Sequence, residues 1–238
     1  MFEERLNSVL AKAGLKLQRR HAFRDPLDIM VYKSKLLEVR TILDIGANSG
    51  QYGSELRRHG WQGKIVSFEP LPVAHKMLLE RSQSDTQWEC APRLALGSVA
   101  GTTTINLAIN SVSSSLLSAN SEFVKAAPES AHVSTEEITV APLDSLIQPN
   151  WAGPFAMKVD TQGYDKEVLL GAIKTLENTR LVQVEVSLAP VYKDGATPAE
   201  IFHFLAERNF RAISVCDCFS DLENQEALQV DITFIKTH

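Results

Sequence analysis

Residues 41–52 of the chain read TILDIGANSGQY, a short apolar run that contains an aspartate and leads at once into a glycine-rich turn. The apolar run predicts a buried strand, and Gly46 and Gly50 let the backbone turn sharply and approach a ligand closely. In an open α/β sheet, ligands bind beyond the carboxyl ends of the strands, where the next helices begin. This stretch therefore predicts a strand, a turn and a helix that border a ligand site.

The rest of the chain repeats this rhythm of short apolar runs and amphipathic stretches. Further strands are predicted at KIVSFEP (64–70), QWECAP (87–92), FAMKVD (155–160), LVQVEVS (181–187) and RAISVCD (211–217). Helices are predicted at about residues 50–59, 72–82, 164–176 and 197–208. Such alternation indicates an α/β fold, doubly wound, with a mostly parallel sheet covered on both faces. The last run, QVDITFIKT (229–237), follows without a clear helix and is expected to return as an antiparallel hairpin partner at the sheet edge.

Two segments depart from this rhythm. Residues 1–40 are predicted to form an N-terminal helical extension, with residues 41–238 as the main domain. Its helices are indicated by apolar spacing at Leu6, Val9, Leu10, Ala13 and Leu17, and then at Met30, Val31, Ser34 and Leu37. Residues 100–142 are rich in Ser, Thr and Asn, and we interpret them as an inserted hairpin with a long polar loop. Long loops within a compact domain often carry function.

Composition limits the classes of function. The chain has 238 residues and a net charge of -5, so no basic excess favours a nucleic-acid partner. Its first residues carry charge where a secretory signal needs an apolar run, and no apolar stretch has the length of a membrane span. Three cysteines are too few and odd in number for a disulfide framework and lack zinc-site spacing. These features predict a cytoplasmic protein with reduced thiols.

The glycine turn favours a particular class of ligand. Its spacing is Gly-x-x-x-Gly rather than the Gly-x-Gly-x-x-Gly of dinucleotide sites, and Asp44 precedes the first glycine. A carboxylate there would repel a pyrophosphate but suits a ligand with positive charge or hydrogen-bond donors. S-adenosylmethionine (SAM) has a sulfonium and an ammonium group and carries no phosphate.

A second acidic residue, Glu69, ends the next predicted strand, 25 residues after Asp44. An acid at this place can accept hydrogen bonds from two ribose hydroxyls. The alternative is that Glu69 only caps the helix that starts near Pro72, where an acid favours the helix dipole.

Several motifs together resemble one family. DIGANSGQY, SFEP, LALGSVAG, SSSLL, LDSL, MKVDTQGYDKEVLLGA and VEVSLAPVY follow one another in the order and spacing of the FkbM-type methyltransferases. The resemblance covers about residues 36–236, and KVDTQGYD is its most specific element. It implies a seven-stranded Rossmann-like fold that binds SAM. It also implies methyl transfer to oxygen, often on a hydroxyl of a sugar, glycan or secondary metabolite such as a polyketide.

The resemblance also assigns the cofactor residues. It implies that the methionine moiety of SAM lies against the residues of the turn, namely Asp44, Gly46, Ala47, Asn48, Gly50 and Tyr52. Glu69, followed by Pro70, would bind the ribose, and Ala95 and Leu96 would lie along the adenine. Asp160 would face the transferable methyl group or the acceptor. Many members have an acid at the position of Gln162, so a metal site built from two acids is not expected.

Methyl transfer to a hydroxyl benefits from a base, and two acids are candidates. Asp160 is the first, with the alternative that it caps the following helix. Glu185, a charge within an apolar strand, is the second, with the alternative of a structural ion pair. Lys158 is expected on the same face as Asp160, where it could pair with a carboxylate.

The acceptor is predicted to be a small molecule or glycan with a hydroxyl. Candidate contacts are Ser113, Ser114 and Ser115 of the polar insert, together with Gln162 and Tyr164. An ordinary solvated loop is the alternative for the serines.

Two rival functions stay open. One is a SAM-binding partner protein without turnover. The other is a nicotinamide-dependent oxidoreductase, although the turn lacks the glycine pattern of dinucleotide sites. Oligomeric state is not indicated.

Overall fold

The computed structural model describes residue 10, residues 25–221 and residues 224–237. Within them a seven-stranded sheet has the order β3-β2-β1-β7-β8-β10-β9. Its strands are β1 (Thr41–Ile45), β2 (Lys64–Phe68), β3 (Trp88–Cys90), β7 (Phe155–Val159), β8 (Thr179–Ser187), β9 (Phe210–Asp221) and β10 (Glu226–Lys236). Neighbours from β3 to β8 are parallel, and β10 is antiparallel to both β8 and β9. The predicted mostly parallel α/β sheet is confirmed.

The hairpin at the end of the chain differs in one respect from the prediction. The last strand, β10, does pair antiparallel with β9, but it lies between β8 and β9. The edge of the sheet is therefore β9. This placement lets β10 bond on both sides, so its apolar residues Val230, Ile232 and Phe234 are buried.

Helices connect and cover the strands. They are α1 (Pro26–Leu36), α2 (Gln51–Arg58), α3 (Pro72–Ser82), α4 (Ser121–Ala126), α5 (Asp165–Leu170), α6 (Ile173–Glu177) and α7 (Pro198–Ala206). Proline stands in the first turn of α1, α3 and α7, where its missing N–H costs no hydrogen bond. Thr197 and Glu200 form a capping box at the start of α7. The helix predicted from Leu6 to Leu17 lies outside the described residues apart from Leu10.

One predicted helix, over residues 164–176, is interrupted. Helix α5 ends at Leu170 and α6 begins at Ile173. The break brings Gly171 so close to the backbone of Gly97 that an added Cβ would lie 2.0 Å from the Gly97 carbonyl oxygen. The chain therefore bends here to pack against the smaller sheet.

That smaller sheet has three strands in the order β4-β6-β5. They are β4 (Ala95–Leu96), β5 (Gly101–Ala108) and β6 (His132–Ala141), with β4 parallel and β5 antiparallel to β6. Residues 109–131, between β5 and β6, contain the 3₁₀ turn Ser111–Ser113 and α4. An isolated bridge joins Asn106 to Ser115, so the start of this segment folds back onto β5.

The main core has two layers, one on each face of the seven-stranded sheet. Successive residues of β1 serve opposite layers: Ile42 packs with Met30, Leu56 and Ile65, whereas Leu43 packs in the cluster on the other face.

None of the helices among residues 25–221 and 224–237 is long and apolar enough to cross a membrane.

A row of polar residues crosses this apolar sheet. In register across the seven strands lie Cys90, Ser67, Asp44, Lys158, Gln183, Thr233 and Ser214. Most of these side chains are buried, so they must satisfy one another or a ligand. The row runs beside the carboxyl ends of the parallel strands, which is where the candidate site lies.

Candidate functional site

The glycine turn places its backbone against the ends of two neighbouring strands. Gly46 and Ala47 donate their N–H groups to the Phe68 carbonyl at 3.1 and 3.0 Å, and Asp160 donates its N–H to the Ile45 carbonyl at 3.1 Å. Gly46 has a φ of +75°, and an added Cβ would lie 1.8 Å from the Asp160 carbonyl oxygen. Only glycine fits here, and its missing side chain keeps the edge of the sheet open.

Glu69 is oriented by this turn. Its Oε2 accepts a hydrogen bond from the Asn48 N–H and its Oε1 from the Leu71 N–H, each at 2.8 Å. Burial raises the pKa of Glu69 to about 7, and the two backbone hydrogen bonds oppose that rise. Each carboxylate oxygen keeps a second lone pair, so Glu69 can bind a ligand while it also holds the start of α3.

Asp44 lies beneath the turn and is fully buried. Its Oδ2 accepts a hydrogen bond from the Ser67 hydroxyl at 2.9 Å. Its Oδ1 finds no hydrogen-bond partner among the described residues, and the Lys158 ammonium, 3.8 Å away, is too far for one. Burial raises the pKa of Asp44, against the effects of Lys158 and Ser67. A buried oxygen without a partner is rare and suggests a missing donor.

Lys158 joins Asp44 to Asp160. Its Nζ lies 3.2 Å from Asp160 Oδ2 and donates to the Gly46 carbonyl at 3.1 Å. It also lies over the Tyr52 ring, 5.4 Å from the centroid. Burial alone would lower the pKa of Lys158, but Asp160 and Asp44 outweigh it and raise the pKa. Lys158 therefore stays charged at neutral pH and cannot act as a base.

Two clefts open on either side of this cluster. The first cleft is lined by Gly46, Glu69, Leu96, Asp160 and Gln162, among others. The empty space between its walls, which includes open solvent, is about 670 Å³. One wall is apolar, with Leu71, Leu94, Ala95, Leu96 and Ile105. The first cleft thus offers a flat apolar side and a polar side that ends in carboxylates.

The second cleft, which we call the acidic cleft, lies beyond Asp160. Its charged lining residues are Asp25, Glu55, Asp160, Glu185, Asp231 and the single cation Lys158. It shares Gly46, Asn48, Val112 and Asp160 with the first cleft. Asp160 therefore stands where a molecule in one cleft would meet a molecule in the other.

The two candidate bases belong to one hydrogen-bonded unit. The Gln162 amide donates to Asp160 Oδ1 at 2.6 Å and to Glu185 Oε2 at 2.9 Å. Glu185 also accepts from Gln229 at 2.7 Å and from the Cys218 thiol at 3.1 Å. Burial raises the pKa of Glu185, and the Asp160 charge raises it further.

The N-cap residue of α5 is Tyr164, and no side chain among the described residues caps this helix. The Asp165 carboxylate accepts from the Thr161 and Gly163 N–H groups at 2.7 and 3.1 Å. The alternative that Asp160 serves only as a helix cap is therefore wrong, because α5 begins five residues later. Asp160 keeps its oxygens for side chains, and its side chain is 29% exposed.

The other predicted residues fall into three groups. Pro70, Ala95, Leu96, Gln162 and Tyr164 line the first cleft with Asn48, while Ala47 and Tyr52 line the acidic cleft. Gly50, at φ +85°, begins α2 and faces Leu78 and Trp88, so packing accounts for it. Among the predicted acceptor serines, Ser114 and Ser115 line the first cleft, and Ser113 is buried beside them.

The hydroxyls of Ser114 and Ser115 are used within the fold. Ser114 Oγ accepts from the Ala108 N–H at 3.1 Å, and Ser115 Oγ donates to the Gln162 carbonyl at 2.6 Å. Ser115 Oγ also accepts from the Leu117 N–H at 3.0 Å. These contacts fix the polar insert against the loop that carries Gln162.

Sequence reasoning missed several residues of the site: Asp165, Gln183 and Asp231, as well as Ser67 under the glycine turn. Gln183 accepts from Tyr52 at 2.9 Å, and burial raises the pKa of Asp231 to about 6. A usable signal existed, because Ser67, Asp44 and Lys158 are polar residues one position before the ends of three adjacent strands, and Gln183 pairs with Lys158 on the next strand.

Among the described residues, one group has potential metal ligands close together. Asp25, Asp28 and His59 have ligand atoms within 4.8 Å of one another, and His59 Nδ1 lies 2.8 Å from Asp28 Oδ1. Asp25 also caps α1 through the Leu27 N–H. This group stands at the rim of the acidic cleft, apart from Asp160 and Glu185.

Comparisons with known proteins give similarities of fold. TehB from Haemophilus influenzae is 10% identical with a TM-score of 0.47, over 87% of this chain and 61% of that chain. A putative O-methyltransferase from Klebsiella pneumoniae is 11% identical with a TM-score of 0.49, over 98% and 89%. Magnesium protoporphyrin IX methyltransferase from Synechocystis PCC 6803, solved with bound SAM, is 8% identical with a TM-score of 0.48, over 89% and 78%.

The sequence itself gives the family. No curated protein matches the chain significantly. The family model described as the methyltransferase FkbM domain matches residues 44–212, more than half of the chain, from the Asp44 turn through Asp160 and Glu185 to the start of β9. The chain therefore belongs to the FkbM methyltransferase family and is a methyltransferase enzyme.

Proposed function

We propose that the chain uses SAM to methylate a hydroxyl group of a small molecule or glycan. The observation that carries this proposal is the pair of carboxylates at adjacent strand ends, Asp44 and Glu69, on opposite sides of the Gly46 turn. Asp44 Oδ1 is buried without a hydrogen-bond partner among the described residues. Glu69 has two oxygens already oriented by backbone N–H groups.

The residues of the first cleft fit SAM in their chemistry. Asp44 lies beneath the Gly46 turn and not in the lining of the first cleft, and its orphan oxygen would supply an acceptor for the donors of the methionine end. The free lone pairs of Glu69 suit two ribose hydroxyls. The apolar wall with Ala95, Leu96 and Ile105 suits an adenine ring. Asn48, Pro70 and Tyr164 complete this lining in the proposal.

Bound SAM supplies a methyl group on a positively charged sulfur. An acceptor hydroxyl would take that methyl group and give up its proton, with S-adenosylhomocysteine as the other product. Asp160 is the proposed base, because it borders both clefts and its side chain is partly exposed. General base help of this kind is typically worth about 10²–10⁴-fold in rate.

Lys158 and Glu185 support Asp160 in this scheme. Lys158 is held charged by Asp44 and Asp160, so it keeps the Asp160 carboxylate in place from one side. Glu185 lies on the other side, behind Gln162, and is the second candidate for the proton. Holding the acceptor oxygen, methyl carbon and sulfur in line is the remaining contribution, worth up to roughly 7–11 kcal/mol in ideal cases.

The acidic cleft is the proposed entrance for the acceptor. It adjoins the first cleft at Asp160, and its carboxylates can accept hydrogen bonds from hydroxyl groups. A sugar, glycan or secondary metabolite follows from the family resemblance. In this proposal Gln162 and Tyr164 border the acceptor together with the serines Ser113, Ser114 and Ser115. Ser115 also holds the insert against the loop around Gln162.

Methyl transfer from tritiated SAM tests this function. The purified protein is incubated with methyl-tritiated SAM and a panel of sugars, glycans and hydroxylated metabolites, with Asp160→Asn as the matched control. We expect one acceptor class to take up label with wild type, and about 10²-fold less label with the variant. A protein that binds S-adenosylhomocysteine but transfers no label to any panel member would favour the alternative of a binding partner without turnover.

A further inference from the structure

Gln162 occupies a position that a loop residue rarely takes. Its backbone is left-handed, with a φ of 54°, although it is not glycine. Gly163 follows, also left-handed with a φ of 91°, and the Tyr192 ring lies where a Gly163 side chain would stand. The Ser115 hydroxyl holds the Gln162 carbonyl at 2.6 Å. The turn is thus fixed from both sides, and it aims the Gln162 side chain between two acids.

The orientation of the Gln162 amide is set by its neighbours. Its oxygen accepts from the Tyr192 hydroxyl at 2.6 Å, while its nitrogen reaches Asp160 at 2.6 Å and Glu185 at 2.9 Å. A reversed amide would aim its oxygen at both carboxylates and repel them. The two N–H bonds of one amide group are therefore shared between two acids.

We propose that Gln162 is a positioning residue for the methyl transfer: its amide bridges Asp160 and Glu185 and holds the two carboxylates as a fixed pair facing the acceptor. This inference rests on the proposed function. The bridge places a neutral N–H donor between two carboxyl groups that lie close together and binds both of them. Asp160 is then free to take the acceptor's proton on its exposed side.

The bridge has a matched comparison within the chain. Gln229 also donates to Glu185 Oε2, at 2.7 Å, but it makes no bond to Asp160. Methionine resembles glutamine in length and shape but has no N–H donor. Replacing either Gln162 or Gln229 by methionine therefore removes one hydrogen bond to Glu185. Only the Gln162 replacement also releases Asp160. Tyr192→Phe removes the hydroxyl that orients the bridging amide and keeps the ring that packs on Phe123.

The surroundings of Glu185 are also charged, so a control for them is needed. The titratable and charged groups that face it from neighbouring elements are Lys158, Asp160, Asp165, Tyr192, Cys218 and Asp231. All six groups are unchanged in the Gln162→Met and Gln229→Met variants, and only Tyr192→Phe alters one of them. A difference between the two methionine variants therefore reports the bridge.

Carboxyl ¹³C NMR over pH 4–9 tests the inference without an acceptor. A hydrogen bond donated to the ionised form of an acid lowers the pKa of that acid. Each methionine variant loses one such bond to Glu185 and should therefore raise its pKa by about 1–2 pH units. The Asp160 carboxyl resonance should move in Gln162→Met and Tyr192→Phe and stay in place in Gln229→Met. In wild type, both side-chain N–H resonances of Gln162 should titrate together with Glu185.

Two results would overturn the bridge. One is an Asp160 resonance that responds equally to both methionine variants, and the other is wild-type Gln162 N–H resonances that ignore the titration of Glu185. The wild-type measurement decides the matter even where a variant fails to fold. Binding of S-adenosylhomocysteine to wild type is measured separately: its absence would remove the proposed function, while binding combined with either result above would remove only the bridge.

Discussion

Glu69 makes cofactor affinity depend on pH. Burial raises its pKa to about 7 in the free protein, and a ribose hydroxyl donates better to the ionised form. With a pKa of about 7, roughly a tenth of the molecules carry ionised Glu69 at pH 6 and roughly nine tenths at pH 8. Because apparent affinity scales with the competent fraction, S-adenosylhomocysteine should bind about 10-fold more tightly at pH 8 than at pH 6.

Glu69→Gln separates this effect from the other acids that titrate nearby, such as Asp44. The amide keeps the size of the side chain, but it cannot ionise and presents an N–H₂ group where an acceptor is needed. Loss of charge-assisted bonds to the ribose should weaken binding at pH 8 by about 1–3 kcal/mol, or roughly 5–150-fold. The pH dependence between pH 6 and 8 should shrink to that of the remaining groups.

Glu69 should also influence stability, with the opposite dependence on pH. The folded pKa of about 7 exceeds the ordinary value of 4.5, so folded protein binds the proton more tightly and stability falls as pH rises from about 4.5 to about 7. The full effect is at most about 3 kcal/mol. The stability of Glu69→Gln relative to wild type should therefore increase as pH rises over this range. Separately, the substitution should cost about 1–3 kcal/mol of stability, because one backbone N–H loses its acceptor.

Calorimetric titration with S-adenosylhomocysteine at pH 6, 7 and 8 gives the affinities, and urea unfolding at the same pH values gives the stabilities. Wild-type affinity that stays constant over this range, or a Glu69→Gln protein with the same pH dependence as wild type, would refute the assignment of Glu69 to the ribose.

Three further changes have defined outcomes. Asp160→Asn removes charge and basicity but preserves size, so turnover should fall by about 10²-fold or more while S-adenosylhomocysteine affinity changes modestly; full activity would point to Glu185 as the base. Gly46→Ala would place a Cβ 1.8 Å from the Asp160 carbonyl oxygen, so the turn must shift. We expect calorimetry to show loss of S-adenosylhomocysteine binding, and near-normal binding would contradict this expectation. Exhaustive chelation should leave methyl transfer unchanged, because the neutral Gln162 amide stands beside Asp160 where a second carboxylate ligand would be needed; loss of activity that magnesium restores would contradict this.

Much of the fold followed from the sequence because its signals are local. The apolar runs of β1, β2, β7 and β8 are bounded by turns, and α2 and α3 begin after Gly50 and at Pro72. The position of β10 between β8 and β9 could not be predicted, because adjacency in the chain does not fix order in the sheet. The break between α5 and α6 arises from contact with the smaller sheet, which no local pattern encodes.

Some site residues could be predicted, because an acid or a glycine at the end of a parallel strand has few alternative roles. Asp44, Gly46, Glu69 and Asp160 fall into this group. Residues that act through long-range contacts were harder to recognise. Tyr192 reaches Gln162 across 30 positions, and Asp231 enters the acidic cleft only because β10 inserts beside β8. Asp160 is not the cap of α5, which begins five residues later, and the start of that helix could not be located from local sequence alone.

A crystal structure of the protein with S-adenosylhomocysteine tests the central claim most directly, since that claim concerns where the cofactor lies. We expect the nucleoside in the first cleft, with the ribose hydroxyls within about 2.5–3.0 Å of the Glu69 carboxylate. The adenine should lie against Ala95 and Leu96, and the sulfur should face Asp160. Density for the nucleoside elsewhere, or an unchanged first cleft at saturating S-adenosylhomocysteine, would contradict the account.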